Sequence, residues 1–460
     1  MTNRRTFLKQ LAAAVVGTGG TGAWSDMQRI AAAASLTPAS AKAAGEDYRA
    51  LVCIFMFGGN DSNNMVIPTS STEYAQYATG RTPVLALAQG ALLPLTVSNT
   101  PGRTFGVHPA MAGFQGLFNQ GKAAVVANAG PLLAPTTRAD FQARRVAIPS
   151  DLYSHSDQQA QWQSSISDGA PRSGWGGRLG DLLKTANGTN QSSTLISVSG
   201  NNLFEVGTSI SSFKVSPGNR FGFDFYRGAT STDPLARGIA SLLSLPSTNL
   251  FEGAWKDVIE RAIQNQQILA SALQSAPTFS TAFPGTGLGT QVQMIARLIA
   301  VRQALGLRRQ VFFCSIGGFD THGEDQLPRQ NELLGEVSGA MTALYNATAE
   351  LNCADLVTSF TASDFNRTFP SNGKGSDHAW GSHHLVAGGA VQGGRIYGTF
   401  PTLVKGGPDD TGSSGLWIPT TSVDQYGATL ARWFGAGPAE VNTVFPNLGR
   451  FGSANVGFLG

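Results

Sequence analysis

Three apolar runs of strand length, each broken abruptly by glycine or by acidic and histidine residues, constrain this chain more than any other feature. Val311-Phe312-Phe313-Cys314-Ser315-Ile316 stops at Gly317-Gly318 and delivers Phe319-Asp320-Thr321-His322. Leu356-Val357-Thr358-Ser359-Phe360-Thr361 delivers Ser363-Asp364-Phe365-Asn366-Arg367-Thr368. Leu51 to Phe57 stops at Gly58-Gly59 and leads into Asn60-Asp61-Ser62. Runs without polar alternation are buried on both faces, which is the habit of central strands in a parallel sheet. Long apolar-periodic stretches separate them: Leu250 to Leu273, Leu288 to Leu305 and Gln330 to Leu351 all predict helices. Strand–helix–strand order at these lengths predicts right-handed parallel crossovers. An α/β protein of this kind gathers its ligands beyond the carboxyl ends of its strands.

The remaining elements are weaker. A helix is expected from His108-Pro109 to about Gln120, a buried strand from Ala123 to Ala129, and a helix from Gln158 to Ser164. Residues 165–245 are rich in Gly, Ser and Asn and predict short strands, including Thr194 to Val198, with long surface loops over the site. A last helix is expected from Val423 to Phe434. The chain reads as one α/β domain over 45–460, with the 165–245 segment as a loop-rich insertion.

The N-terminus has a separate role. Asn3-Arg4-Arg5-Thr6-Phe7-Leu8-Lys9 carries a twin-arginine motif, followed by the apolar, glycine-broken run Leu11 to Ala23. That run is too short and too rich in glycine to span a bilayer. Small residues around Ala39, Ala41 and Ala43 suit a signal peptidase, so residues 1–44 read as an export signal and the mature chain as periplasmic or secreted. Of the 32 Lys and Arg and 29 Asp and Glu, five and one fall before residue 45, which leaves 27 and 28. The mature domain is therefore near neutral. It has no basic stripe, which argues against a nucleic-acid partner. Three cysteines, two of them inside strand-like runs, read as small buried hydrophobes rather than a disulfide framework.

Candidate chemistry is concentrated late in the chain. Four of the six histidines lie between Val311 and Gly394. Asp61, Asp320, His322, Asp364, Asp377, His378, His383 and His384 are of the types that hold Zn, Mn or Fe. Neighbours on an extended segment face opposite ways. His384, which leads directly into Leu385-Val386-Ala387, is preferred to His383, and His378 to Asp377. Ser154, in Tyr153-Ser154-His155-Ser156-Asp157, stands where a helix begins. It serves either as a cap or as a nucleophile beside free N–H groups. Arg367, three residues after Asp364, has the fork geometry to clamp an oxyanion.

Several of these segments together resemble an exported, twin-arginine-signal family assigned to the alkaline phosphatase and sulfatase superfamily. The residues that carry the resemblance are Phe57-Gly58-Gly59-Asn60-Asp61, Ser154-His155, Gly317-Gly318-Phe319-Asp320-Thr321-His322, Ser363-Asp364-Phe365-Asn366-Arg367-Thr368, Asp377-His378 and Gly388-Gly389 with Gly393-Gly394. The resemblance implies an alkaline-phosphatase-like three-layer α/β/α sandwich with a mostly parallel sheet. It implies a two-metal site whose ligand positions are matched by Asp61, Asp320 with His322, Asp364 and His384; with His378 standing in for a missing His, one or two divalent ions per chain are expected. It gives Ser154 as nucleophile, with His155 or Arg367 handling protons or charge. The chain departs from the pattern in three ways. Asp320 and His322 are only two apart, Phe365 follows Asp364 where the pattern has His, and no Cys/Ser-x-Pro-x-Arg sequence surrounds Ser154. The expected activity is hydrolysis of phosphate or sulfate esters, small or polymeric, after passage through the twin-arginine machinery. The alternative is an exported binding or structural protein that kept the fold and lost the reaction.

Overall fold

A computed structural model describes residues 47–188, 194–210, 212–217, 232–246 and 249–460. The twin-arginine stretch, the expected processing point near Ala44 and parts of the 165–245 segment lie outside these residues.

In chain order the strands are β1 (Arg49–Met56), β2 (Val66–Pro68), β3 (Leu93–Leu95), β4 (Phe105–Val107), β5 (Ala123–Gly130) and β6 (Leu195–Ser197). They continue with β7 (Phe213–Lys214), β8 (Arg309–Ile316), β9 (Val357–Ser363), β10 (Ser382–Gly388), β11 (Ile396–Tyr397) and β12 (Thr421–Ser422). The main sheet has the order β11-β5-β10-β9-β1-β8-β6-β7, with β12 also on β5. Its pairings are parallel except those of β10, which runs against both β5 and β9. A small antiparallel sheet, β2-β4-β3, stands apart.

The central strand explains the layering. Ala50, Val52, Ile54 and Met56 of β1 point into one core, and Leu51, Cys53 and Phe55 into another. The first core is closed by helices Ala112–Asn119, Gly287–Ala300 and Gln326–Glu350. The second is closed by His155–Ser164, Trp175–Leu183, Val423–Phe434 and Pro438–Val444. Side chains such as Ile54 and Phe55, both 0% exposed, each contribute on the order of 1.5–3 kcal/mol by leaving water. The fold is thus α/β, with helices on both faces of a large, mostly parallel mixed sheet.

Four helix boundaries differ from the sequence reading. The helix expected from Gln158 begins at His155. Residues 108–111 form a turn, in which Met111 N–H donates to the His108 carbonyl and Ala110 N–H to His108 Nδ1, so the helix starts at Ala112. The helix expected from Gln330 begins earlier, at Gln326. Pro328 lies in its first turn, where a missing N–H costs nothing. The helix expected to reach Leu305 ends at Ala300. The 165–245 segment supplies β6 and β7, which extend the main sheet beyond β8. Among the described residues, no helix is long and apolar enough to cross a membrane.

Candidate functional site

The three central strands end level with one another. Met56 is paired with Ile316 on one side and Ser363 on the other. Gly58, Asp320 and Asp364 therefore leave the sheet at a single edge. Because β10 runs the other way, its first residues reach that edge too, and Ser382 pairs with Ala129 near the end of β5. Ser363 Oγ stitches the turn, donating to the Met56 carbonyl at 2.7 Å and accepting from Asn60 N–H at 2.9 Å. Gly58 is required here. Its φ is +112°, and a Cβ would lie 2.4 Å from the backbone nitrogen of Asp320.

Arg367 ties these ends together. Its buried guanidinium donates to the carbonyls of Gly58, Gly59, Phe319 and Ser376, and to Asp320 Oδ1 at 2.6 Å. Burial lowers its pKa, and the Asp320 carboxylate works against that shift. With this many acceptors engaged, Arg367 is not a free clamp for a substrate oxyanion, as its spacing from Asp364 had suggested. It is the brace that fixes Asp320.

Asp320 faces two imidazoles. His155 opens the helix His155–Ser164, and its Nδ1 is 2.7 Å from Asp364 Oδ2. The same oxygen accepts from Gln159 Nε2 at 2.8 Å and from Gly58 N–H at 3.1 Å. His378 places Nδ1 2.7 Å from the Tyr153 carbonyl. A carbonyl only accepts, so this nitrogen carries the proton and Nε2 is left with its lone pair. The two Nε2 atoms stand 3.5 and 3.7 Å from Asp320 Oδ1. Both are buried and have no hydrogen-bond partner. One ligand atom each from His155, Asp320 and His378 falls within 4.8 Å of the other two.

The electrostatics of the three groups differ. The hydrogen bond to Asp364 raises the pKa of His155, against the effect of burial. Burial lowers that of His378 and keeps its ring neutral. Partial burial would raise the Asp320 carboxyl, but the Arg367 hydrogen bond and charge outweigh it and hold the group below its usual range. With His155 in its neutral form, two imidazole nitrogens and one carboxylate are a donor set for Zn, Mn or Fe. Each imidazole also has its outer nitrogen fixed by an acceptor, which is how metal-binding histidines are oriented.

The other candidates sit around or away from this triad. His322 is on its rim, with Nδ1 3.0 Å from Asp320 Oδ1 and a side chain 43% exposed. Asp364 supports His155 rather than joining the three. Asp61 is engaged by Arg81 and, at 2.7 Å, by Gln326 Nε2. His384 is fully buried, with its ring 4.3 Å from that of Trp162. Its neighbour His383 stacks on Phe400 and accepts from Asn128 N–H. The two imidazoles thus have separate surroundings, and neither is part of the triad. Ser154 stands at the N-cap position of the helix that His155 begins but makes no capping bond; its hydroxyl donates to the Asp157 carboxylate, at Oδ2, at 2.5 Å.

Sequence reasoning missed Arg81, Tyr153, Gln159 and Gln326. Gln159 was findable, because it lies four residues after His155 and so on the same helix face. Tyr153 gives no such signal. It contributes a carbonyl, held in a left-handed conformation with φ of 73°.

Fold and geometry together define an α/β protein with a candidate two-histidine, one-carboxylate metal centre at its strand ends. Residues 48–410 match the family described as protein of unknown function DUF1501, and the chain belongs to that family. No curated protein matches it.

Proposed function

We propose that this chain is an exported, metal-dependent hydrolase of phosphate or sulfate esters on an alkaline-phosphatase-like fold. His155 Nε2, His378 Nε2 and Asp320 would hold a single Zn, Mn or Fe ion. The observation that carries this reading is the pair of buried, unpartnered Nε2 atoms aimed at one carboxylate, each with its Nδ1 already anchored. Orphaned polar atoms are costly in a protein interior, so two at one point need a reason. A bound ion would supply Lewis-acid polarisation of the ester oxygens.

The chain's own residues supply the rest. Arg367 and Asp364 fix Asp320 and His155. His322 stays partly exposed on the rim, beside Asp320 and Arg367. The hydroxyl of Ser154 adjoins the site in sequence, at the positive end of the helix that carries His155. Activation as a nucleophile would require it to leave Asp157. His378 also offers a replacement for the His that the superfamily pattern has after Asp364. Its ring lies 4.5 Å from that of Phe365, which occupies that sequence position. Export is supported by the twin-arginine stretch at Arg4-Arg5.

The test is elemental analysis of the purified mature chain, followed by a screen of phosphate and sulfate monoesters and diesters. One transition ion per chain and turnover are expected, with both lost in His155→Ala, His378→Ala and Asp320→Ala. A protein that holds its ion yet turns over none of these esters would move the assignment to the non-catalytic alternative.

A further inference from the structure

A second polar cluster lies next to this site and has no part in it. Asp61 leaves the end of β1, the strand between those that deliver Asp320 and Asp364. Buried there, its carboxylate needs a cation. A side chain supplies it. Arg81 is 0% exposed. Its Nη2 donates to Asp61 Oδ2 and its Nε to Asn64 Oδ1 at 3.1 Å. Its Nη1 donates to the carbonyls of Thr368 and Phe369, at 3.0 and 2.9 Å.

Every acceptor around this guanidinium is an oxygen. They come from two loops, one after β1 and one after β9. Asp61 Oδ1 is buried nearby with no partner. Thr82, the next residue, has φ of 57°, where the helix Ser71–Leu85 kinks before Pro83. An all-oxygen cage containing a carboxylate, an amide oxygen and two carbonyls is the donor set of a hard divalent cation such as Ca2+.

We propose that Arg81 is a built-in cation. It fills an oxygen cage that would otherwise bind a hard divalent ion, and it leaves the protein with one metal centre instead of two. The stoichiometry rests on the reading of His155, Asp320 and His378 as that centre; the cage itself does not.

Two measurements test it. Wild type and Asp61→Asn should each hold one transition ion by elemental analysis. Two ions in the wild type, or loss of an ion in Asp61→Asn, would overturn the proposal. In Arg81→Ala the cage is vacated. Titration with CaCl2 should then raise the thermal midpoint saturably, at one equivalent, with no such shift in the wild type. A folded Arg81→Ala that ignores Ca2+ would overturn the cage. If that variant does not fold, the ion counts of wild type and Asp61→Asn still decide. If the wild type holds no ion, the hydrolase reading fails, while the Ca2+ response of Arg81→Ala still decides this one.

Discussion

The imidazole of His155 meets the carboxylate of Asp364 at 2.7 Å, and this contact settles which nitrogen of His155 faces Asp320. Asp364 is itself fully buried and receives two further donors on the same oxygen, from Gln159 and from Gly58. It therefore cannot turn away without leaving those donors unpaired. Replacing it with Asn keeps the shape and removes the charge. Asp364→Asn should weaken transition-metal affinity by about 10–100-fold, measured by competition with a chromogenic chelator, with the fold retained.

Arg367 is the second support. Arg367→Lys should not substitute, because an ammonium cannot reach carbonyls on several loops with a planar fork. Both Arg367→Lys and Arg367→Ala should lower stability by at least about 3 kcal/mol in urea denaturation, since each leaves buried acceptors without a donor.

Gly58→Ala should damage both the fold and the site. An added Cβ meets the Asp320 backbone, and the positive φ adds about 1–2 kcal/mol for an L side chain. Weaker metal binding is expected alongside a lower urea midpoint. Gly90→Ala is the control, because nothing lies within 4 Å of its added Cβ, and it should stay within about 0.5 kcal/mol of wild type.

His384 makes stability depend on pH. Burial holds its ring neutral, with its pKa lowered to about 3. In the unfolded chain it takes a proton near pH 6.5. The unfolded state thus binds more protons below that value. The contribution of neutral His384 is complete above about pH 6.5 and is lost as pH falls toward 3. Between about pH 7 and 5 this one group should cost the wild type about 2 kcal/mol. His384→Phe, measured by urea denaturation at both pH values, should lose correspondingly less.

The strands were legible in the sequence because burial on both faces writes a continuous apolar run, as in β1, β8 and β9. The Asp320 and Asp364 positions followed from the same breaks. What stayed hidden depends on distance in space. Arg81 is an ordinary helical arginine until the Phe369 loop folds over it. Asp61 looks identical whether a metal or a guanidinium sits beside it. His384 was placed at the correct edge of the sheet, but its sequence position could not tell a ligand from a buried ring against Trp162. The Tyr153 carbonyl carries no residue-type signature, since any amino acid supplies one.

The reversed direction of β10 has a consequence for the order of assembly. This strand separates β5 from β9, so the segment Ala123–Gly130 has no route into the central sheet until Ser382–Gly388 has been synthesised. On the ribosome, β5 must wait through more than half of the chain before its permanent neighbour exists. Closure of the sheet is then a late, long-range event, the kind that slows folding and leaves apolar strand edges open to wrong partners in the meantime.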